Sequence, residues 1–531
     1  MSHTILIILM LFGMIAAVGV TANRLKVPPA ILSVLTGVVL ALIPGLPAVQ
    51  LAPELVLLLV LPPMVYISGV QMSWREFRFN LRPIALLAVG CVAFTTVAAA
   101  AVAHFLLRMP WDVGFVLGAI VSPPDAVAPL SIARRMHLPR RILTILEGEG
   151  LANDATALVL YRFAVAAVVA GVFSMEEAAM TFAAIVAGEL LWGLAVGWLL
   201  LRLRRWVNDP QIELVLSILT PFLAYWPPYF AGGSGVLATV VCGLYVSWNG
   251  ARLISAATRL QGVFFWDVLV YLIEGTLFLL TGLQARTMIL DTRDYSAALL
   301  IGSAAVVCVA VIVARFVWVF PATYLPRRLS AAIARADPAP PWQWPFMLAF
   351  TGIRGIDSLA AALAIPLATQ AGAPFPDREL IILLTFAVIL VTLVGQGLML
   401  PSVVKGLGLA HAGRHERQVA IEEEAHARRS AVRAALRRLD SLVTERALPE
   451  HLTRSLRAQY RGRLRHFHRR LEADRTPSTH ADEIDLLLIE AERELINTLH
   501  RDGKLKDEAR RHIELELDLL TATLLNHQHG E

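Results

Sequence analysis

The chain has 531 residues, of which 56% are hydrophobic and 17% charged, with a mean hydropathy of +0.62. That balance excludes a soluble globular protein of this size and places the chain among integral membrane proteins. Residues 411–531 hold 22 Lys and Arg against 22 Asp and Glu, so the net charge of +5 belongs to the apolar part. A basic surplus of that kind marks membrane-facing loops rather than nucleic-acid binding. Cys91, Cys242 and Cys308 stand alone in apolar runs, with no CxxC or metal-ligand spacing, and read as small buried hydrophobes.

In chain order, thirteen apolar segments are expected, near 4–22, 28–46, 51–71, 82–107, 112–133, 141–171, 176–201, 211–227, 231–249, 262–284, 295–324, 343–369 and 379–403. The first lacks a basic lead and a small-residue cleavage site, so it is expected to be retained. With the N-terminus outside, the loops on the inner side carry eighteen basic residues, among them Arg75, Arg82, Arg141, Arg252, Arg327 and Arg335. Only Arg108, Arg286, Arg293 and Arg378 fall outside. By the positive-inside rule the tail is then cytoplasmic, and the cell's inner (plasma) membrane is the expected location. A membrane domain over 1–408 and a helical, cytoplasmic and regulatory tail over 409–531 follow.

The fifth segment contains VSPPDAVAP (121–129), where Pro123, Pro124 and Pro129 interrupt the backbone ladder around Asp125. Carbonyls freed this way, next to a carboxylate, suit a cation. The sixth segment carries Glu147, Glu149, Asn153, Asp154 and Arg162 along one otherwise apolar span. Each charge at the centre of a membrane helix costs at least ~2.5 kcal/mol, so such groups usually line a wet path or an ion site. Counting ~1.5 Å per residue from Arg140 and Arg141, Asp154 lies about 20 Å into a slab about 30 Å thick. The twelfth segment, FTGIRGIDSLAAALAIP (350–366), is interrupted in its turn by Gly352, Gly355 and Pro366 around Arg354 and Asp357. Interrupted spans five and twelve cross in opposite directions, as the paired broken helices of an inverted-repeat transporter do. The expected fold is therefore an all-α polytopic membrane protein of about thirteen transmembrane helices, with inverted repeats, two broken crossing helices and a helical tail. Asp267, Glu274, Arg315 and Asp357 are further intramembrane charges without an assignable partner. Arg162 is expected to reach outward to the interface. The tail alternates acid and base at helical period and holds eleven of the fourteen His.

These stretches resemble a known family. LEGEGLANDATALVLYRF (146–163) is similar to the Asn-Asp helix of the first family of monovalent cation/proton antiporters, which includes bacterial sodium/proton antiporters and animal sodium/proton exchangers. SPPDAVAP resembles its broken helix, GSGVLATVVCGLYV (233–246) its ninth helix, LIEGTLFLLTGL (272–283) its Glu-Thr-Leu stretch and GIRG (352–355) its Gly-x-Arg-Gly. The resemblance implies that Asp154 binds cation and proton in turn, that Asn153 is its neutral neighbour and that Asp125 is the acid of the broken helix. Asp154 and Asp125 would then hold the monovalent cation, and Glu149 with Arg354 would form a structural ion pair. Glu147 and Glu274 are accessory candidates, Glu147 at a cytoplasmic funnel. One departure stands out: Pro124 replaces the family's Thr before the aspartate, which removes a hydroxyl but keeps a carbonyl.

The activity implied is secondary active exchange of sodium, or alternatively potassium or lithium, for protons by alternating access, in a homodimer serving pH homeostasis. A carboxylate taken out of water holds its proton more firmly, so proton and cation can compete for the same oxygens. Asn153 beside Asp154 leaves one titrating acid at the cation position, and one-for-one electroneutral exchange follows. No cofactor, enzymatic activity or nucleic-acid partner is expected. GGSG (232–235) matches a serine-protease signature, but His3, His104 and His137 all lie away from span centres, where no general base would serve it. A passive channel would favour repeated pore-lining rings instead.

Overall fold

A computed structural model describes residues 2–44, 51–170, 175–207, 209–250, 253–292, 295–446, 449–473 and 479–502, together with 505, 510, 513–514 and 516–521. Arg252 and Arg293 of the loop-charge count lie outside the described residues, as do 45–46 of the second expected segment and Gly171 of the sixth. Among the described residues the chain is helical throughout, without a strand; Ala368 and Pro374 form one isolated bridge.

The N-terminal helices are α1 (Ser2–Leu25), α2 (Pro29–Ala41), α3 (Pro53–Gln71) and α4 (Leu81–Leu107). Next come α5 (Trp111–Val121), α6 (Val127–Arg135) and α7 (Arg140–Ala170), then α8 (Met175–Arg204), α9 (Pro210–Phe230) and α10 (Val236–Gly250). The membrane part closes with α11 (Ala256–Leu283), α12 (Ala297–Leu329), α13 (Gln343–Phe350), α14 (Ile356–Leu363) and α15 (Arg378–Gly406). Among the described residues seven helices are long and apolar enough to cross a bilayer: α3, α4, α7, α8, α11, α12 and α15. Part of α1, with α2, α5 and α10, is apolar but shorter.

Two gaps organise the centre. α5 stops at Val121 and α6 starts at Val127, because Pro123 and Pro124 have no N–H for a continuing ladder. Pro129 falls in the first turn of α6, where its missing donor is not needed. α13 stops at Phe350 and α14 starts at Ile356, across Gly352 and Gly355. Nearby, α15 loosens into a π-helical turn at Val391–Gln396, a feature often found beside functional sites. Small residues let helices approach backbone to backbone elsewhere: a side chain on Gly37 of α2 would run into α11 at Leu279 and Gly282.

The chain divides into two units, Met1–Arg414 and His415–Glu531. The second continues the helix α16 (Leu409–Arg446) and adds α17 (Glu450–Ala473) and α18 (Thr479–Arg501). Exposed ion pairs such as Arg457 with Asp440 at 2.6 Å lie between its helices. The side chains of 463–470, and residues 515 and 522–525, lie outside the described residues.

Candidate functional site

The two gaps are joined to each other. The backbone N–H of Asp125 donates to the carbonyl of Ile353 at 2.7 Å, and the N–H of Arg354 donates to Thr392 Oγ1 on the π-helical turn of α15 at 3.0 Å. Gly355 lies flush against Asp125: a Cβ there would occupy the space of the carboxyl group. The four helix ends at the gaps are a cost, because each leaves backbone groups without intrahelical partners in a medium without water. Charged side chains answer it. Asp125 Oδ1 accepts from Val127 N at 2.8 Å at the start of α6. Arg354 donates through Nε to Val121 O at 2.9 Å and through Nη2 to Ser122 O at 3.4 Å, at the end of α5, and through Nη1 to Gly352 O. Arg315 donates to Leu348 O near the end of α13 through Nε at 3.1 Å and Nη2 at 2.9 Å. Negative charge thus sits at a helix N-terminus and positive charge at two C-terminal ends, the signs the helix dipole favours.

This arrangement corrects the ion pair expected between Glu149 and Arg354. Glu149 is bound by Arg315 instead, Nη1 to Oε1 at 2.5 Å and Nη2 to Oε2 at 2.8 Å, with each side chain 2% exposed. The reason is local. Arg354 springs from a gap whose loose carbonyls lie nearest and take its donors, whereas Arg315, on the unbroken α12, meets the carboxylate with a parallel fork. Gly352 makes room for both arginines, since a side chain there would strike each.

Asn153 is fully buried and donates through Nδ2 to Pro124 O at 2.6 Å. The carbonyl kept by Pro124 is therefore engaged by α7, while Asn153 Oδ1 has no protein partner among the described residues. One residue on, Asp154 faces a cleft with roughly 340 Å³ of unfilled space, shared with Asp357, Ser358, Tyr161, Pro123 and Leu61. Asp125 is close enough for its charge to act on both Asp154 and Asp357. Asp154 is therefore not the sole acid that lines the cleft. Asp357 could have been singled out from sequence: it follows Arg354 by three residues, in the first turn after the gap. Among the described residues no three His, Cys, Asp or Glu side chains converge to hold a metal ion. A cation at Asp154 and Asp125 would need carbonyl, amide or water oxygens as well.

The remaining candidates lie apart. Glu274 on α11 does not line the cleft, though it stands within electrostatic range of Asp125. Glu147 pairs with Arg134 at 2.7 Å where both are partly exposed. Arg162 stacks over the ring of Tyr229, near the end of α9, at 4.8 Å. Ser234 of GGSG gives its hydroxyl to the buried Glu189 at 2.9 Å, and Glu189 also receives Gly235 N at 2.9 Å. That turn therefore serves the start of α10, and the buried Glu189, which the sequence reading passed over, is its anchor.

Gly355→Ala tests the crossing. We expect it to push Asp125 out of place, lowering stability by about 1–3 kcal/mol, the usual cost of overpacking. Gly188→Ala on α8, where a Cβ meets nothing within 4 Å, should change neither. Thermal unfolding in detergent and flux in vesicles are the measurements, and equal behaviour of the two variants would contradict the close packing.

Helices with two joined gaps and a buried acidic cleft define a multi-pass membrane protein of the ion-translocating kind. A family profile described as sodium/hydrogen exchanger, transmembrane, matches residues 7–406, and the chain belongs to that family, a family of transporters rather than enzymes. An uncharacterized Na(+)/H(+) exchanger of Mycobacterium tuberculosis is 34% identical over 97% of both chains. A sodium, potassium, lithium and rubidium/H(+) antiporter of Bacillus pumilus is 31% identical over 83% of this chain and 66% of its own length. The sodium proton antiporter MjNhaP1 of Methanocaldococcus jannaschii has the same fold at a TM-score of 0.60 and 18% identity, covering 77% of this chain and 98% of that one.

Proposed function

We propose that this chain exchanges sodium for protons across the cell's inner membrane by alternating access, with Asp154 as the carboxylate that holds cation and proton in turn. The observation that carries the reading is the placing of charge. Asp154 and Asp357 line one cleft, with Asp125 within electrostatic range of both, while Arg315 and Arg354 spend their donors on Glu149 and on backbone carbonyls. The cleft therefore keeps a negative character that a cation or a proton must answer. Asn153 Oδ1, without a protein partner, is the natural further ligand, and Asp125 the second acid. In this reading the chain has thirteen spans in inverted repeats with two broken helices, a cytoplasmic tail of regulatory use, and works as a homodimer in pH homeostasis.

Potassium is the second reading, supported by the Bacillus pumilus relative, whose name includes potassium, lithium and rubidium. Vesicle flux followed with a pH dye, with sodium, potassium and lithium added in turn, separates the two. Proton movement should follow sodium at the lowest concentration; equal or better response to potassium would overturn the sodium assignment, and no response to any of the three the whole reading.

The same vesicles test stoichiometry. Two carboxylates in one enclosure retain a proton between them more readily than they bear two negative charges. We therefore expect one proton per sodium even with Asp357 present. Membrane potential acts at ~2.3 kcal/mol per elementary charge per 100 mV. Steady-state sodium accumulation should then be the same with the potential clamped at zero or at about −100 mV, a span that would otherwise shift it markedly. A several-fold difference would mean that Asp357 or Asp125 also gives up a proton in the cycle.

A further inference from the structure

Away from the acidic cleft, three arginines converge on one carboxylate. Asp337, just after the short helix Ala331–Ala336, is bound by Arg82 of α4, by Arg141 of α7 at 2.8 Å and by Arg327 of α12 at 2.7 Å. Arg327 is nearly buried and fully engaged, giving Nε to Asp337 O at 3.0 Å and Nη1 to Thr323 O. The other two are not. Arg82 and Arg141 keep 30% and 24% of their side-chain surface. Among the described residues Arg82 donates only through Nη2, while Arg141 donates through Nη2 and, toward Asn80 Oδ1 at 3.0 Å, through Nε, its guanidinium lying 5.7 Å from the centroid of the Phe79 ring. Three guanidinium groups against one carboxylate leave two positive charges, and the neighbouring Glu76 is already taken by Arg140 at 2.7 Å.

Two further features make that surplus unusual. Arg82 and Arg141 are each the second residue of a long helix, at the end where the backbone dipole already presents positive charge. The one carboxylate that answers them, Asp337, is shared with Arg327. The space beside them is walled by Leu86, Ile145, Val319 and Trp344. Charge at the mouth and hydrocarbon behind it describe an amphipathic anion.

We propose that this cleft between α4, α7, α12 and α13 binds an anionic phospholipid, its phosphate on Arg82 and Arg141 and its acyl chain against the apolar wall. Basic pockets between membrane helices take anionic headgroups in this way. Free phosphate shares the headgroup chemistry but gains nothing from Leu86 or Trp344. Because the cleft joins the end of α7, which carries Asp154, to the end of α12, which carries Arg315, a bound lipid would hold together the two helices that build the core of the membrane unit. The inference is independent of which ion is carried.

The test uses the full-length protein purified in detergent, with phosphatidylglycerol, phosphatidylcholine or inorganic phosphate added. Phosphatidylglycerol should raise the unfolding temperature by several degrees, with the other two giving no shift. Arg82→Gln with Arg141→Gln should remove the response, each substitution weakening lipid retention in native mass spectrometry by about fivefold. An equal shift with inorganic phosphate would replace the lipid by a free anion, and an equal shift with phosphatidylcholine would remove charge from the argument; either overturns the proposal. Should the double variant not fold, a photoreactive phosphatidylglycerol on the unaltered protein decides. Labelling within 82–87, 141–145 or 319–327 supports the site, and labelling only elsewhere refutes it.

Discussion

Asp154→Asn is expected to reduce sodium-driven proton movement in vesicles to the level of protein-free vesicles while leaving the folded protein intact. Amide and carboxylate have nearly the same shape, and among the described residues the Asp154 side chain makes no hydrogen bond or ion pair, so stability should change by no more than about 1 kcal/mol. What is lost is the group itself: an amide neither releases a proton at physiological pH nor presents an anionic oxygen to a cation. Asn153→Ala offers a contrast, because it strands the carbonyl of Pro124 and should damage packing as well as transport. Flux from purified Asp154→Asn at near the unaltered rate, in protein with an unaltered melting curve, would remove Asp154 from the transport site. Asp357, which shares its cleft, would then be the first residue to examine.

How much of this could be read from the residues depends on the range of the interaction. The gaps at 122–126 and 351–355 are local effects: prolines without an N–H and glycines that weaken a helix act within a few residues, so their positions are visible in the chain. The continuous α7 is legible for the same reason, since 140–170 holds no proline and its two glycines, Gly148 and Gly150, sit within a long helical pattern. Partnerships across the fold are another matter. Glu149 and Arg315 are 166 positions apart on different helices. Two buried arginines, Arg315 and Arg354, were equally available to Glu149 from sequence, and only the geometry of the gap, which draws Arg354 to Val121 and Gly352, separates them. Glu189 was invisible for a related reason: its partners are backbone N–H groups of a turn, and such donors have no signature of their own. The convergence of Arg82, Arg141 and Arg327 was likewise seen only as loop charge, because the positive-inside rule counts arginines without saying which of them meet.

Arg315→Ala is expected to be the most destabilising single change in the membrane unit. It leaves the Glu149 carboxylate buried without a counter-charge and Leu348 O without its two donors. Removing one member of a buried pair typically costs about 3–5 kcal/mol, most of it the penalty of the stranded charge. Glu149→Ala strands the arginine, but Arg315 keeps its bonds to Leu348 O, so the loss should be somewhat smaller. The double variant Glu149→Gln with Arg315→Met removes both charges and fills similar volume; it should regain much of the stability lost by either, since no lone ion then remains in an apolar surrounding. Arg354 supplies the comparison. Its guanidinium serves backbone carbonyls at the end of α5, so Arg354→Ala should also destabilise, yet its effect should add to that of Glu149→Ala with little coupling. Unfolding of the purified variants, arranged as two double-mutant cycles, measures this directly. The cycle through 149 and 315 should show a coupling above about 1 kcal/mol, and the cycle through 149 and 354 a much smaller one. A larger coupling in the second cycle would mean that Glu149 is held by the arginine of the gap, and that α12 contributes only packing to this part of the core.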